Sequence, residues 1–120
     1  FEYRRLAFYD IVDHPRDLKR LSLCCHPALS LLRKYDKQSG SQLYETLETY
    51  TACGFNNAQT AAELFLHRNT LSYRLQKISN ITGLDFEKPD VQFAMQYSFR
   101  LEKFIFQLNQ RQTITGLNGD

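Results

Sequence analysis

From Leu64 to Leu84 the chain carries no carboxylate side chain, although 13 aspartates and glutamates are spread over its 120 residues. That acid-free run closes a longer stretch, residues 56–83 (NNAQTAAELFLHRNTLSYRLQKISNITG), in which two helical rhythms follow each other. Ala61, Leu64 and Phe65 fall at i, i+3 and i+4, which predicts one apolar stripe. Leu71, Leu75 and Ile78 then repeat at i, i+4 and i+7 and must face inward. Between the two, Leu66 is an apolar plug for a tight turn. Asn56 can cap the first helix, with Gln59 placed to return the bond as a capping box. His67 can cap the second, with Arg68 at its first position and Thr70 at its third. Small Ala61 lets the helices cross closely. A stretch with these constraints folds as a helix-turn-helix.

The outward side of the second helix shows Asn69, Ser72, Tyr73 and Gln76, flanked by Arg74 and Lys77. Arg68 lies at a helix N-terminus, where the dipole disfavours a cation by about 0.3–1 kcal/mol. A phosphate there would accept both the unpaired N–H groups and the guanidinium. Asn and Gln side chains pair with adenine edges and Arg with guanine, each worth about 1–3 kcal/mol of discrimination. Periodicity alone also allows a simpler reading, an ordinary helical hairpin with a polar outer face.

The same residues carry a resemblance. Thr60-Ala61, the block Leu64-Phe65-Leu66-His67-Arg68-Asn69-Thr70-Leu71, then Tyr73-Arg74-Leu75, Ile78 and the closing Thr82-Gly83 are similar to the C-terminal helix-turn-helix of the purine-catabolism and carbohydrate-diacid regulator family. They resemble the DNA-binding hairpin of Fis-type proteins more loosely. The similarity is firm over residues 41–101 and weaker over 1–40. It implies a bacterial transcription regulator whose upstream sensory part lies outside this chain, as the start at Phe1 without Met also leads one to expect. Phe65 stands where the general motif often has a turn glycine, and the family accepts a bulky residue there. Ser72 stands where family members often carry a basic residue.

Around this stretch the punctuation is helical throughout. Pro15, Pro27 and Pro89 each follow a residue able to cap, while Gly54 and Gly83 each end a pattern and are followed by an apolar residue, Phe55 or Leu84. No period-two segment and no hairpin turn occurs. The expected fold is all-α: an N-terminal helical arm over residues 1–40, a helix-turn-helix domain over 41–110, and a frayed tail over 111–120. Within the arm, residues 1–12 and 15–22 read as helices. The next helix runs from Pro27 to about Lys37 with Ala28, Leu31, Leu32 and Tyr35 inward, and Gln38-Ser39-Gly40 is the most linker-like spot. Ser41 should cap the helix that braces the hairpin, with Leu43, Leu47 and Tyr50 on its core face and Glu45 and Glu48 outside. The last helix, from Asp90 to about Gln110, has one face of Val91, Ala94, Met95, Ser98, Leu101, Ile105 and Leu108. A second face of Phe93, Tyr97, Phe104 and Leu108 is displaced by about 60°. That second face is expected to meet either the N-terminal helices or a second copy.

Composition narrows the function by exclusion. A net charge of +2 is too small to mark a nucleic-acid binder by itself, so the local charge of the acid-free run has to make that case. Three cysteines, Cys24, Cys25 and Cys53, do not make a secreted disulfide framework, and adjacent Cys24-Cys25 with His26 does not converge on one metal ion. Reduced thiols in a cytoplasmic protein fit better. No apolar run approaches a membrane span. His14 and His26 each precede a proline and read as helix caps. No nucleophile elbow, phosphate loop or catalytic constellation is present, so no enzyme, metal or cofactor is expected.

The reading is sequence-specific binding of double-stranded DNA, with the helix of residues 68–80 in the major groove. Arg68, Asn69, Ser72, Tyr73 and Gln76 are expected at base edges. Asn57, Gln59, Thr60, His67, Thr70, Arg74 and Lys77 are expected at phosphates. A homodimer through residues 90–110 and the N-terminal arm, and a cytoplasmic, nucleoid-associated location, go with it. The rival is a helical dimerisation or protein-interaction module in which the hairpin is incidental. RNA binding is weaker still, since no exposed aromatic platform on a sheet is indicated.

Overall fold

The computed structural model describes residues 25–118, with side chains through Arg111. The expected helices at 1–12 and 15–22, and the capping role of His14, lie outside the described residues. Five helices and no strand occur among those described: α1 (Pro27–Ser39), α2 (Leu43–Ala52), α3 (Asn57–Leu64), α4 (Arg68–Thr82) and α5 (Pro89–Asn118). The chain is all-α, as its punctuation predicts. His26–Phe99 forms one compact unit. The described residues from Arg100 on belong to a second, in which Leu101 is buried with Cys25, Phe104, Ile105 and Leu108 against it.

The core of the first unit is built from four helices and a connector. Ala28, Leu29 and Leu32 of α1, Leu43, Leu47 and Tyr50 of α2, Ile78 of α4, Phe86 and Met95 are buried together. Ala28 and Leu32 are inside as expected and Tyr35 packs against the core, but Leu31 is not inside. Leu29 is inside, whereas Leu31 is 43% exposed, because Leu29 and Leu32 share the i, i+3 face that Ala28 begins. Phe86, in the connector before α5, is a buried residue that its polar neighbours Asp85 and Glu87 concealed. Its ring meets Tyr50 edge-on at 6.3 Å, and its carbonyl accepts a bond from the Gln92 amide at 2.8 Å.

Caps hold the helix ends. His26 accepts the Ala28 N–H at Nδ1 (3.0 Å), with Pro27 at the first position, and the His26 N–H donates to buried Ser98 of α5 at 3.0 Å. Gly40 closes α1 in the left-handed region at φ 70°, so the segment expected as linker is a helix stop. At the other glycine clasps, Phe55 donates its N–H to Tyr50 O and stacks edge-on against the Tyr50 ring at 5.2 Å, while Gly83 ends α4 at φ 73°.

The start of α2 departs from expectation. Ser41 is no cap: its hydroxyl bonds Ser39, and Gln42 holds the cap position without a side-chain bond. The cap comes from α1. Both carboxylate oxygens of Asp36 are used, Oδ1 accepting the Leu43 N–H at 2.9 Å and Oδ2 the Tyr44 N–H at 2.8 Å. One residue thereby ties two helices while satisfying two N–H groups that a helix start leaves unpaired. Finally, α5 runs through Asn118 rather than stopping near Gln110, so most of the expected tail is helical.

Asp36→Ala should lower stability by about 1–2 kcal/mol, read as a lower urea midpoint at unchanged slope. Asp36→Asn keeps one acceptor and should lose less. An unmoved midpoint in the alanine variant would show that water serves those N–H groups equally well.

Candidate nucleic-acid interface

The helix-turn-helix is α3, the turn at Phe65–Leu66, and α4, with α2 touching both. Asn56 caps α3 by accepting the Gln59 N–H at 2.9 Å. The return half of the expected capping box is replaced, since the Asn56 N–H donates to Cys53 O. At the turn Phe65 enters the left-handed region at φ 55°, and the Leu66 N–H reaches back to Ala61 O at 2.9 Å. Such a residue costs about 1–2 kcal/mol without glycine's freedom. Because the helix stops at Leu64, the i+4 relation to Ala61 is broken. Phe65 leaves the apolar stripe and is 94% exposed, while Ala61 stays buried.

His67 caps α4 as expected, accepting the Asn69 N–H at Nδ1 (3.1 Å). Accepting there leaves the ring proton on Nε2, turned to donate outward. Leu71 and Ile78 have no accessible surface and Leu75 is half-buried, so the helix is fixed along one side. The opposite side is open. Arg68, Asn69, Ser72, Tyr73 and Gln76 are all exposed. At 100° per residue Asn69, Tyr73 and Gln76 lie within about 60° of one another. Asn80 joins them on that face, bonded to Gln76 Nε2 at 3.1 Å. Sequence reasoning passed over Asn80, although its i+4 spacing from Gln76 was the available signal.

The residues expected at phosphates divide three ways. Asn57, Gln59, His67 and Thr70 are exposed. Arg74 and Lys77 are half-buried and already engaged. Arg74 donates to Thr46 Oγ1 of α2 at 3.2 Å, and that buried hydroxyl in turn donates to Gln42 O at 2.7 Å. Lys77 lies over the rings of Tyr35 and Tyr73, at 5.3 and 5.7 Å from their centroids. Its pKa is raised, first by a hydrogen bond and charge interaction with Tyr35 and then by Tyr73. Thr60 differs from the rest: it is fully buried, with Oγ1 donating to Asn56 O at 2.6 Å and its N–H bonded to the same carbonyl. A threonine in the first turn of a helix can bond back to the preceding carbonyl, which withdraws it from any outside ligand.

Among the described residues no group of His, Cys, Asp and Glu side chains could hold a metal ion, and no helix is long and apolar enough to cross a membrane. An open groove of about 540 Å³ between the start of α1 and Thr82 takes in none of the residues expected at DNA.

The comparisons with known proteins agree with this geometry. The chain is 31% identical over 85 residues to the proline-responsive transcriptional activator PutR of Bacillus subtilis (strain 168), covering 71% of this chain and 21% of that protein. It is 30% identical over 102 residues to the DNA-binding transcriptional activator AdeR of the same organism, covering 84% of this chain and 24% of the relative. The carbohydrate diacid regulator of Escherichia coli (strain K12) is 33% identical over 76 residues, 63% of this chain and 20% of the relative. The chain thus spans about a fifth to a quarter of the length of these regulators. No solved structure matches it. Residues 43–101 match the family model of the PucR C-terminal helix-turn-helix domain, and the chain belongs to that family through this segment.

Proposed function

We propose that the chain is the DNA-binding part of a bacterial transcriptional regulator and reads the sequence of duplex DNA with α4 in the major groove. The observation that carries this reading is the open face of α4. Asn69, Ser72, Tyr73 and Gln76 are presented to solvent on a helix whose other side is fixed by Leu71 and Ile78, in a run without carboxylates. The names of the relatives, transcriptional activators and a regulator, support the same class and give no sign of catalysis.

In this reading Arg68 and Asn69 enter the groove first, at the N-terminal end of α4, and Ser72, Tyr73 and Gln76 follow along the base edges. Gln76 keeps its carbonyl and one N–H for a base while bonded to Asn80. His67 Nε2–H, Thr70, and Asn57 and Gln59 at the start of α3 hold phosphates. Thr60 is left out because it is buried and bonded inward. Arg74 and Lys77 add positive charge from fixed positions: Arg74 stands on Thr46, and Lys77 is held between Tyr35 and Tyr73. We extend the proposal to a homodimer acting on chromosomal DNA in the cytoplasm. The exposed, stacked pair Phe93 and Tyr97 on α5, centroids 6.3 Å apart, supports a contact between copies.

Selection from random duplex DNA should enrich one site, and an Arg68→Ala, Asn69→Ala double variant should lose it. Inverted half-sites about one helical turn apart would accord with the dimer. Binding that is salt-sensitive but not enriched would reduce the reading to backbone binding. Asn69→Ala alone should relax preference at one position. Lys77→Ala should weaken every site and reduce the log–log salt slope by about 0.9. An equal loss on all sequences for Asn69→Ala would remove that residue from the readout.

The setting of Lys77 has its own signature. Its folded-state pKa lies above that of the unfolded chain, so the interaction stabilises the fold in full at neutral pH. That contribution is lost as pH rises through the folded value, beyond the usual lysine range. The Lys77 side-chain NMR resonance should titrate at higher pH in the wild type than in a Tyr35→Phe variant. Coincident titration of Lys77 in the wild type and the variant would mean that Tyr35 does not hold the ammonium.

A further inference from the structure

Among the described residues Phe65 is the most exposed of the large apolar side chains at 94%, ahead of Phe93 at 68% and Tyr73 at 65%. It also stands in the left-handed region, φ 55°, at a helix end where glycine is the unstrained choice. The turn does not need the ring. Its shape is set by the backbone bonds from Phe65 and Leu66 to Ala62 O and Ala61 O, which any residue would make. The side chain therefore burdens the fold through strain and returns no stability through burial. Strain of that kind, tolerated without a folding benefit, is the mark of a residue kept for contact with something else.

Its neighbours say what. Two residues on is His67, and Arg68 and Asn69 follow; the four residue steps to Asn69 span no more than about 13–14 Å. A protein-docking patch would gather apolar residues around the ring. Here Leu64 and Leu66 are half-buried and Ala61 is buried; on the α4 side of the ring His67, Arg68, Asn69 and Thr70 are exposed, and on the α3 side Ala62 and Glu63. A single ring beside the cationic and amide groups that open α4, with Glu63 on its other side, suits the edge of a DNA groove, where the thymine C5-methyl is the apolar feature beside the polar base edges.

Resting on the DNA reading above, we infer that Phe65 is a specificity-determining residue: its ring packs against the methyl group of a thymine at the edge of the site read by α4. The turn, and not only the recognition helix, then contributes to sequence choice. A preference for thymine arises there without any hydrogen bond.

The test uses the whole chain, the duplex enriched by selection, and the variants Phe65→Gly and Phe65→Asn, both of which suit left-handed backbone. Both should melt at or above the wild-type temperature and yet bind about four- to fifteenfold more weakly, on the scale of one or two buried methyl groups. The salt slope should not change, since no phosphate contact is lost. Replacing each thymine singly by deoxyuracil removes only a methyl. One such replacement should weaken the wild type about fourfold and leave both variants unaffected. Variants that bind as tightly as the wild type, or the absence of any sensitive thymine, would overturn the inference. So would unchanged DNA binding with altered self-association in sedimentation, which would assign the ring to a protein contact. A wild-type chain that binds no duplex would instead defeat the DNA reading itself, and the two failures are told apart by that first measurement.

Discussion

A reading helix must be held on one side so firmly that its other side can be left entirely to a ligand, and the rest of this molecule follows from that. In α4 the holding side is Leu71 and Ile78, both without accessible surface, with Leu75 half-buried beside them. The 15 residues of α4 are marginal for an isolated helix in water, so its shape comes from this burial rather than from propensity. Ile78 joins a core to which α1, α2, the connector and α5 each contribute at least one side chain. The polar face is affordable only because that core exists elsewhere.

Much of this was legible in the sequence because helical spacing and cap chemistry are local. The 3.6-residue repeat placed Leu71 and Ile78 inside, and His26, Asn56 and His67 are caps because an imidazole or amide before a helix has few better options. What could not be read depends on partners distant in sequence. Asp36 caps α2 from seven and eight residues away, so Ser41, the nearer candidate, looked sufficient. Thr60 carries a side chain suited to phosphate but spends it on Asn56 O, and only tertiary burial decides between those uses. Phe65 read as a stripe residue because periodicity assumes that the helix continues, whereas the chain turns one residue earlier.

The site was legible to a similar degree. The five residues expected at bases are all exposed, a matter of helix phase alone. The engagement of the two flanking cations was hidden, since Thr46 lies 28 residues from Arg74 and Tyr35 lies in a helix assigned to the arm. These contacts alter what the cations can offer. Lysine and arginine side chains lose considerable rotamer freedom when fixed, and here the fold has already imposed part of that loss before any phosphate arrives.

Tyr35 and Asp36 are adjacent in α1 yet act on different helices, Tyr35 on α4 through Lys77 and Asp36 on the start of α2 through two backbone N–H groups. Two successive residues of α1 thus contact both the supporting helix and the reading helix. Neither lies within residues 43–101, where the family match falls. The matched segment and the compact unit, His26–Phe99, are therefore different stretches of the chain. The matched residues alone omit the helix that supplies the cap of α2 and the ring beside Lys77.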